Sequence, residues 1–100
     1  MDWKKGIKVR IDHNIKIKIV DFGNACWTKK HFTDNIQTRE YRSPEAIIGA
    51  KYLANTDVWS LGCMIFEMLT GEFIFKPCEG TTEEGKPFQK DDDHLALMIE

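Results

Sequence analysis

The sequence predicts an α+β fold, mainly helical with a short N-terminal β-hairpin, and three observations carry that prediction. Residues 7–19 alternate apolar and charged side chains, residues 56–70 form an apolar block closed by Gly71, and Ser43-Pro44-Glu45 and Asp91-Asp92-Asp93 each open a further helix. One hundred residues admit one domain at most, and a chain of this size buries roughly 65% of its unfolded surface, enough for a modest core. The 42% apolar and 30% charged fractions argue against wholesale disorder and collagen-like repeats.

In the hairpin, Ile7, Val9 and Ile11 alternate with Lys8, Arg10 and Asp12, and Ile15, Ile17 and Ile19 alternate with Lys16 and Lys18. Asp12-His13-Asn14 supplies the polar turn between them. The second strand runs straight into Val20-Asp21-Phe22-Gly23. Residues 24–38 show no sustained period and read as a long surface loop, the kind of loop that usually has a function.

Ser43 is a hydroxyl cap, Pro44 pre-sets φ at the first helical position, and Glu45 faces the positive end of the dipole. Gly49 stops this helix early. Asn55 or Thr56 caps a second helix that runs through Thr70, with Gly71 as its C-terminal stop. Val58, Trp59, Leu61, Cys63, Met64, Ile65, Phe66, Met68 and Leu69 leave it almost no polar face, so it is expected to be buried on most sides. A hundred residues can hardly surround such a helix. Residues 71–90 read as irregular, and Asp91-Asp92-Asp93 opens a last helix on which Leu95, Met98 and Ile99 begin an apolar stripe.

Charge is segregated along the chain. Residues 1–30 carry eight basic and three acidic side chains, whereas residues 71–100 carry three and eight. The acidic end repels nucleic-acid phosphates and attracts cationic partners, so no direct nucleic-acid partner is expected. No apolar run approaches the roughly 20 residues of a membrane span, and no signal-peptide core follows the N-terminal lysines, which predicts a cytoplasmic or nuclear chain. Cys26, Cys63 and Cys78 are odd in number and widely spaced, and read as reduced thiols. His13, His31 and His94 share no metal-ligand spacing. Cys63 reads as a core thiol and Trp59 as a packing anchor.

The chemistry resides in spacing. Asp21-Phe22-Gly23 ends a strand, where a carboxylate can reach a phosphate-bound metal and glycine lets the chain turn. Alone this is a weak signal, since a strand-ending aspartate is more often a turn former. Ser43-Pro44-Glu45 follows, its glutamate twenty-four residues after Asp21, within T-R-E-Y-R-S-P-E, and Asp57-Val58-Trp59-Ser60-Leu61-Gly62 begins twelve residues after Glu45.

At these residues the sequence resembles the activation segment and central helix of eukaryotic protein kinases, with D-F-G, a loop and an A-P-E-like motif in order. T-R-E-Y-R-S-P-E is similar to the group that holds cyclin-dependent, MAP and CLK-type kinases. Asn24-Ala25-Cys26-Trp27, His31-Phe32-Thr33, Ile36-Gln37-Thr38-Arg39 and Asp92-Asp93-His94-Leu95-Ala96-Leu97 narrow the resemblance to SR-protein kinases. Ser43 departs from the usual alanine of A-P-E, and Pro44 from the leucine of many SR-protein kinases. The implied fold is an incomplete, protein-kinase-like C-terminal lobe over residues 1–100, lacking the N-terminal lobe and catalytic loop.

The resemblance implies a role for each matching residue. Asp21 would hold the magnesium that bridges ATP phosphates, Phe22 would pack against the central scaffold, and Gly23 would let the loop reorient. Thr38 would sit beside the catalytic base. Tyr41 and Arg42 would shape the floor under the residue after the phosphoacceptor. Glu45 would pair with an arginine late in the lobe and Asp57 would hold the catalytic loop, although both also read as first-turn acids serving a helix dipole. Glu72, Asp93 and Glu100 look like the acids that dock arginine-rich substrates. Asp93 and Glu100, seven residues apart, fall about 20° from alignment and about 10.5 Å apart along one helix face. The implied cofactors are ATP and Mg2+, and the implied partners are arginine/serine-rich proteins.

A kinase also needs a glycine-rich loop, a strand lysine paired with a helix glutamate, and an H-R-D-type loop carrying the base. None occurs in these 100 residues. The expectation is therefore a piece of a serine/threonine kinase that is inactive alone. Two alternatives stand beside it: a non-catalytic acidic module that docks basic peptides, and a piece of a neighbouring CLK-like kinase. An unshielded isoleucine-rich hairpin further predicts poor solubility.

Overall fold

The computed structural model describes residues 12–100. Its regular elements, in chain order, are α1 (Pro44–Ile47), α2 (Thr56–Thr70), β1 (Gly80–Thr81), β2 (Pro87–Phe88) and α3 (Lys90–Ile99). Two single 3-10 turns, Phe22–Asn24 and Arg39–Tyr41, punctuate the long N-terminal segment. Strands β1 and β2 pair antiparallel, with Gly80 opposite Phe88 and Thr81 opposite Pro87.

The predicted hairpin falls partly within the described residues. Its first arm, Ile7 to Ile11, lies outside the described residues. Its turn is present, with the Asn14 N–H donating to Asp12 Oδ1 at 2.9 Å and the Ile15 N–H to the Asp12 carbonyl at 3.2 Å. Residues 15–20 carry no strand among the described residues, and Ile17 and Ile19 are exposed. Alternation gives a strand its two faces, but a strand exists only where a ladder partner receives its backbone groups.

The helices start and stop where side-chain chemistry directs them. Ser43 Oγ accepts the Ala46 N–H at 3.4 Å, Pro44 occupies the first helical position, and Gly49 takes φ 72° just beyond the end of α1. Gly71 adopts φ 78° and donates its N–H to the Glu67 carbonyl at 2.7 Å, closing α2 in the left-handed conformation that glycine adopts without steric cost. Asn55 precedes α2 without a side-chain cap, and its backbone carbonyl takes the Val58 and Trp59 N–H groups instead. Helix α3 begins one residue before the aspartate run. Gln89 caps it in a reciprocal box with Asp92, whose carboxylate accepts the Gln89 N–H at 3.0 Å.

The core is small and partly polar. Ala46, Tyr52 and Cys63 are buried, and so are the polar Ser43, Thr56 and His94; α1 meets α3, Ser43 bonds Thr56 at the start of α2, and Tyr52 stacks on His31 at 4.0 Å. Sequence reading expected α2 to be buried on most sides, and that expectation fails within this chain. Only Thr56 and Cys63 of α2 are buried, while Val58, Met68 and Leu69 are 66%, 66% and 82% exposed. Too few elements exist here to cover an apolar cylinder: the 3-10 turn Arg39–Tyr41 lies on one side and Phe75 stacks on Trp59 on another. The radius of gyration, 16.7 Å, exceeds the roughly 13 Å of a closed hundred-residue domain. No helix among the described residues is long and apolar enough to cross a membrane.

Candidate functional site

The site is built around the loop between the Asp21 turn and α1. Asp21 adopts φ 65° and ψ 65°, a left-handed conformation that aspartate tolerates better than most residues. It turns the chain into Phe22–Asn24, and the Ala25 N–H closes that turn on the Phe22 carbonyl at 3.0 Å. Phe22 is 65% exposed, so no scaffold among the described residues covers its ring.

Gln37 anchors the far end of the loop to α2, a role that sequence reading missed. Its Nε2 donates to the Thr56 carbonyl at 2.7 Å and to Ser60 Oγ at 2.6 Å, and its Oε1 accepts the Ser43 N–H at 2.9 Å and the Thr56 hydroxyl at 3.3 Å. Ser43 and Thr56 also share a side-chain hydrogen bond. The Ser60 hydroxyl donates onward to the Tyr41 carbonyl at 2.8 Å. Gln37 itself sits at φ 67°, a conformation uncommon outside glycine, asparagine and aspartate. A glutamine inside an otherwise irregular loop gives no periodicity signal. The nearest clue is that its amide can donate and accept at once, which suits a junction between two elements.

Arg42 completes the clamp. Its Nε donates to the Ile36 carbonyl at 3.0 Å and its Nη2 to the Gln37 carbonyl at 2.9 Å. Burial, with Arg39 beside it, pulls the Arg42 pKa below the ordinary guanidinium value. Tyr41 donates to Glu67 on α2 and packs edge-on to Phe73 at 5.9 Å between ring centroids. The hydrogen bond to Glu67, together with desolvation, pushes the Tyr41 phenol up to about 12. Arg42 thus holds the chain just before Thr38, and Tyr41 fastens the chain just after it to α2. Thr38 is exposed, and its carbonyl accepts the Tyr41 N–H at 2.9 Å.

Two neighbouring cavities frame these residues. One, of about 660 Å³, is lined by Gly23, Asn24, Gln37, Thr38 and Arg42 among others. The other, of about 380 Å³, is lined by Asp21, Phe22, Asn24, Gln37 and Asp57 among others. Asp21 and Thr38 therefore line different cavities that share Asn24, Ala25, Ile36 and Gln37 as a wall. As one hard oxygen donor, the Asp21 carboxylate suits magnesium, which is commonly held by one or two carboxylates plus phosphate oxygens. Among the described residues no group of three or more His, Cys, Asp or Glu side chains converges as a metal cage.

The remaining predicted residues are dispersed. Glu45 and Asp57 occupy the first turns of α1 and α2, as the dipole reading requires, and neither has an ion pair among the described residues. Glu72, just past α2, pairs with Lys76 at 3.7 Å. Asp93 accepts from Cys78, and Glu100 caps the end of α3. No hydrogen bond or ion pair links Glu72, Asp93 and Glu100 among the described residues. Asp91, in the acidic run read from sequence as opening the last helix, also forms an ion pair with Arg39 that ties the loop to α3.

Comparison with known proteins places this architecture. The protein kinase domain model matches residues 5–97. The chain is 57% identical over 89 residues to the probable serine/threonine-protein kinase sky1 of Dictyostelium discoideum, covering 89% of this chain and 13% of that protein. It is 52% identical over 97 residues to the serine/threonine-protein kinase SRPK of Physarum polycephalum, covering 97% of this chain and 20% of that protein. It is 50% identical over 86 residues to the SRSF protein kinase 3 of Homo sapiens, covering 86% of this chain and 14% of that protein. The chain thus spans a fifth or less of the length of each of these relatives. Because the family model covers nearly all of the sequence, D-F-G and T-R-E-Y-R-S-P-E included, the chain belongs to the protein kinase domain family, with SR-protein kinases as its relatives.

Proposed function

We propose that this chain is the part of a serine/threonine kinase C-terminal lobe that holds the metal-binding aspartate, the activation segment and the central helix. The whole enzyme transfers the γ-phosphoryl group of ATP to serines of arginine/serine-rich proteins in cytoplasm and nucleus. The observation that carries this reading is the shared wall of Asn24, Ala25, Ile36 and Gln37, with the Asp21 turn and the exposed Thr38 in the cavities on its two sides.

In this reading Asp21 contributes one ligand to Mg2+, whose chemistry is to neutralise charge on the phosphates. Thr38 offers a hydroxyl beside the position of the substrate serine. Arg42 and Gln37 hold the loop beneath it through the carbonyls and hydroxyls already described, so that little reorganisation is left for substrate binding. Glu72, Asp93 and Glu100 supply carboxylates for arginine side chains. Transfer by these 100 residues alone is not expected, because no glycine-rich loop and no H-R-D-type base occurs among them.

Exchanging residues 12–100 for the matching segment of the Dictyostelium sky1 kinase tests the proposal. The chimera should phosphorylate an arginine/serine peptide, and Asp21→Ala within it should bring incorporation down to background. A folded chimera that stays fully active with Asp21→Ala refutes the assignment. For the isolated chain, incorporation from labelled ATP should not exceed that of its own Asp21→Ala variant.

A further inference from the structure

The segment after α2 runs back over the first turn of α3 and meets Asp93 there. The Cys78 main-chain N–H donates to Asp93 Oδ2 at 2.9 Å, and the Cys78 thiol donates to the same oxygen at 3.6 Å. Two donors from one residue thus converge on one carboxylate oxygen. Asp93 Oδ1 has no hydrogen-bond partner among the described residues. Pro77 stiffens the approach of this segment by fixing its own φ, and the Gln89–Asp92 box fixes the helix turn from which Asp93 projects.

Building on the docking role proposed above for Asp93, we infer that Cys78 is the positioning residue of this carboxylate, occupying Oδ2 so that Oδ1 alone faces the cationic side chain of a substrate. A guanidinium binds a carboxylate most strongly as a fork, using both oxygens. With Oδ2 already engaged, Asp93 offers an end-on, one-oxygen contact, and its rotamer is set before the substrate arrives. The negative carboxylate raises the thiol pKa, foremost by charge repulsion, so the sulfur keeps the proton it donates. This residue differs in kind from the three docking acids: it touches no substrate and acts only through Asp93.

The test is binding of a fluorescein-labelled arginine/serine peptide to the full chain, read by anisotropy at low salt, with helicity by circular dichroism as the folding control. Asp93→Asn should weaken binding. Cys78→Ala, which keeps the main-chain donor and removes the thiol, should weaken it by about threefold, the scale of a weak donor on a charged acceptor. Cys78→Ser restores a side-chain donor and should recover wild-type affinity or better. Wild-type affinity in Cys78→Ala alongside weakened binding in Asp93→Asn overturns the positioning role and leaves the docking role standing. Equal loss in Cys78→Ala and Cys78→Ser also overturns it, since the side chain then matters for packing alone. Unchanged binding in Asp93→Asn sinks the docking role itself.

Discussion

The Gln37 side chain donates to Ser60 Oγ at 2.6 Å, joining the loop that carries Thr38 to the second turn of α2 across 23 residues of sequence. The same amide accepts the main-chain N–H of Ser43, a residue with no exposed surface. Gln37→Leu therefore strands the buried Ser43 N–H, whereas the Thr56 carbonyl keeps its place in the helix ladder. A stranded buried polar group costs about 1 to 3 kcal/mol, and the variant should lose about 2 kcal/mol in urea unfolding. Gln37→Gly should lose less, because glycine relieves the left-handed backbone and admits water to the same groups. Equal stability of Gln37→Leu and wild type would remove Gln37 from the clamp.

Most of what proved legible in the sequence was local chemistry. The Ser43 cap, the Pro44 start and the stops after α1 and α2 at Gly49 and Gly71 each depend on a residue and its immediate neighbours, and each stands where it was expected. The D-F-G turn and the T-R-E-Y-R-S-P-E run were legible as a resemblance, because their order and spacing are specific. What could not be read were contacts between distant residues: Gln37 with Ser60, Arg39 with Asp91, and Cys78 with Asp93. No periodicity encodes these. The solvent exposure of α2 was legible only as a conflict between its composition and the length of the chain. The two-residue ladder of β1 and β2 is too short for an alternating pattern to announce it.

The ion pair between Arg39 and Asp91 holds the loop against α3 while both side chains stay partly solvated, at 31% and 48% exposure. A pair of that kind contributes about 1 kcal/mol or less and is screened by salt. Asp91→Asn should lower the urea midpoint measurably in 50 mM salt and much less in 500 mM salt. Hydrogen exchange at residues 39–41 should quicken in the same variant. An equal loss from Asp91→Asn in an Arg39→Gln background would mean that Asp91 acts as a first-turn acid of α3 and not through Arg39.

His94 is fully buried against Phe75, 5.5 Å between ring centroids, and neither ring nitrogen has a hydrogen-bond partner among the described residues. Burial foremost, then the positive charges of Arg39 and Arg42, holds its pKa below the ordinary value of 6.5, against the opposing pull of Asp91 and Glu40. The unfolded chain thus takes up this proton at a higher pH than the folded one. Stability from the neutral ring is complete above pH 6.5 and declines as pH falls below it. The melting temperature should drop between about pH 7 and 5, and His94→Phe should flatten that part of the profile. A wild-type profile that is level over this interval would show that the ring titrates alike in both states.

The three thiols should separate by reactivity. Cys26 and Cys78 are exposed, whereas Cys63 is buried in α2 and burial raises its pKa. The thiolate is the reacting species, so a disulfide reagent at pH 8 should find Cys63 only after denaturant is added. The Cys26 sulfur meets the neutral Tyr52 hydroxyl at 3.9 Å, while the Cys78 sulfur faces the Asp93 carboxylate, which disfavours a second negative charge beside it. In the native chain Cys26 should therefore react first and Cys78 more slowly. Asp93→Asn removes the repulsion and should accelerate Cys78 while leaving Cys26 at its own rate, with single-cysteine variants assigning each phase. A Cys78 rate indifferent to Asp93→Asn would show that the thiol and the carboxylate do not sense each other in solution.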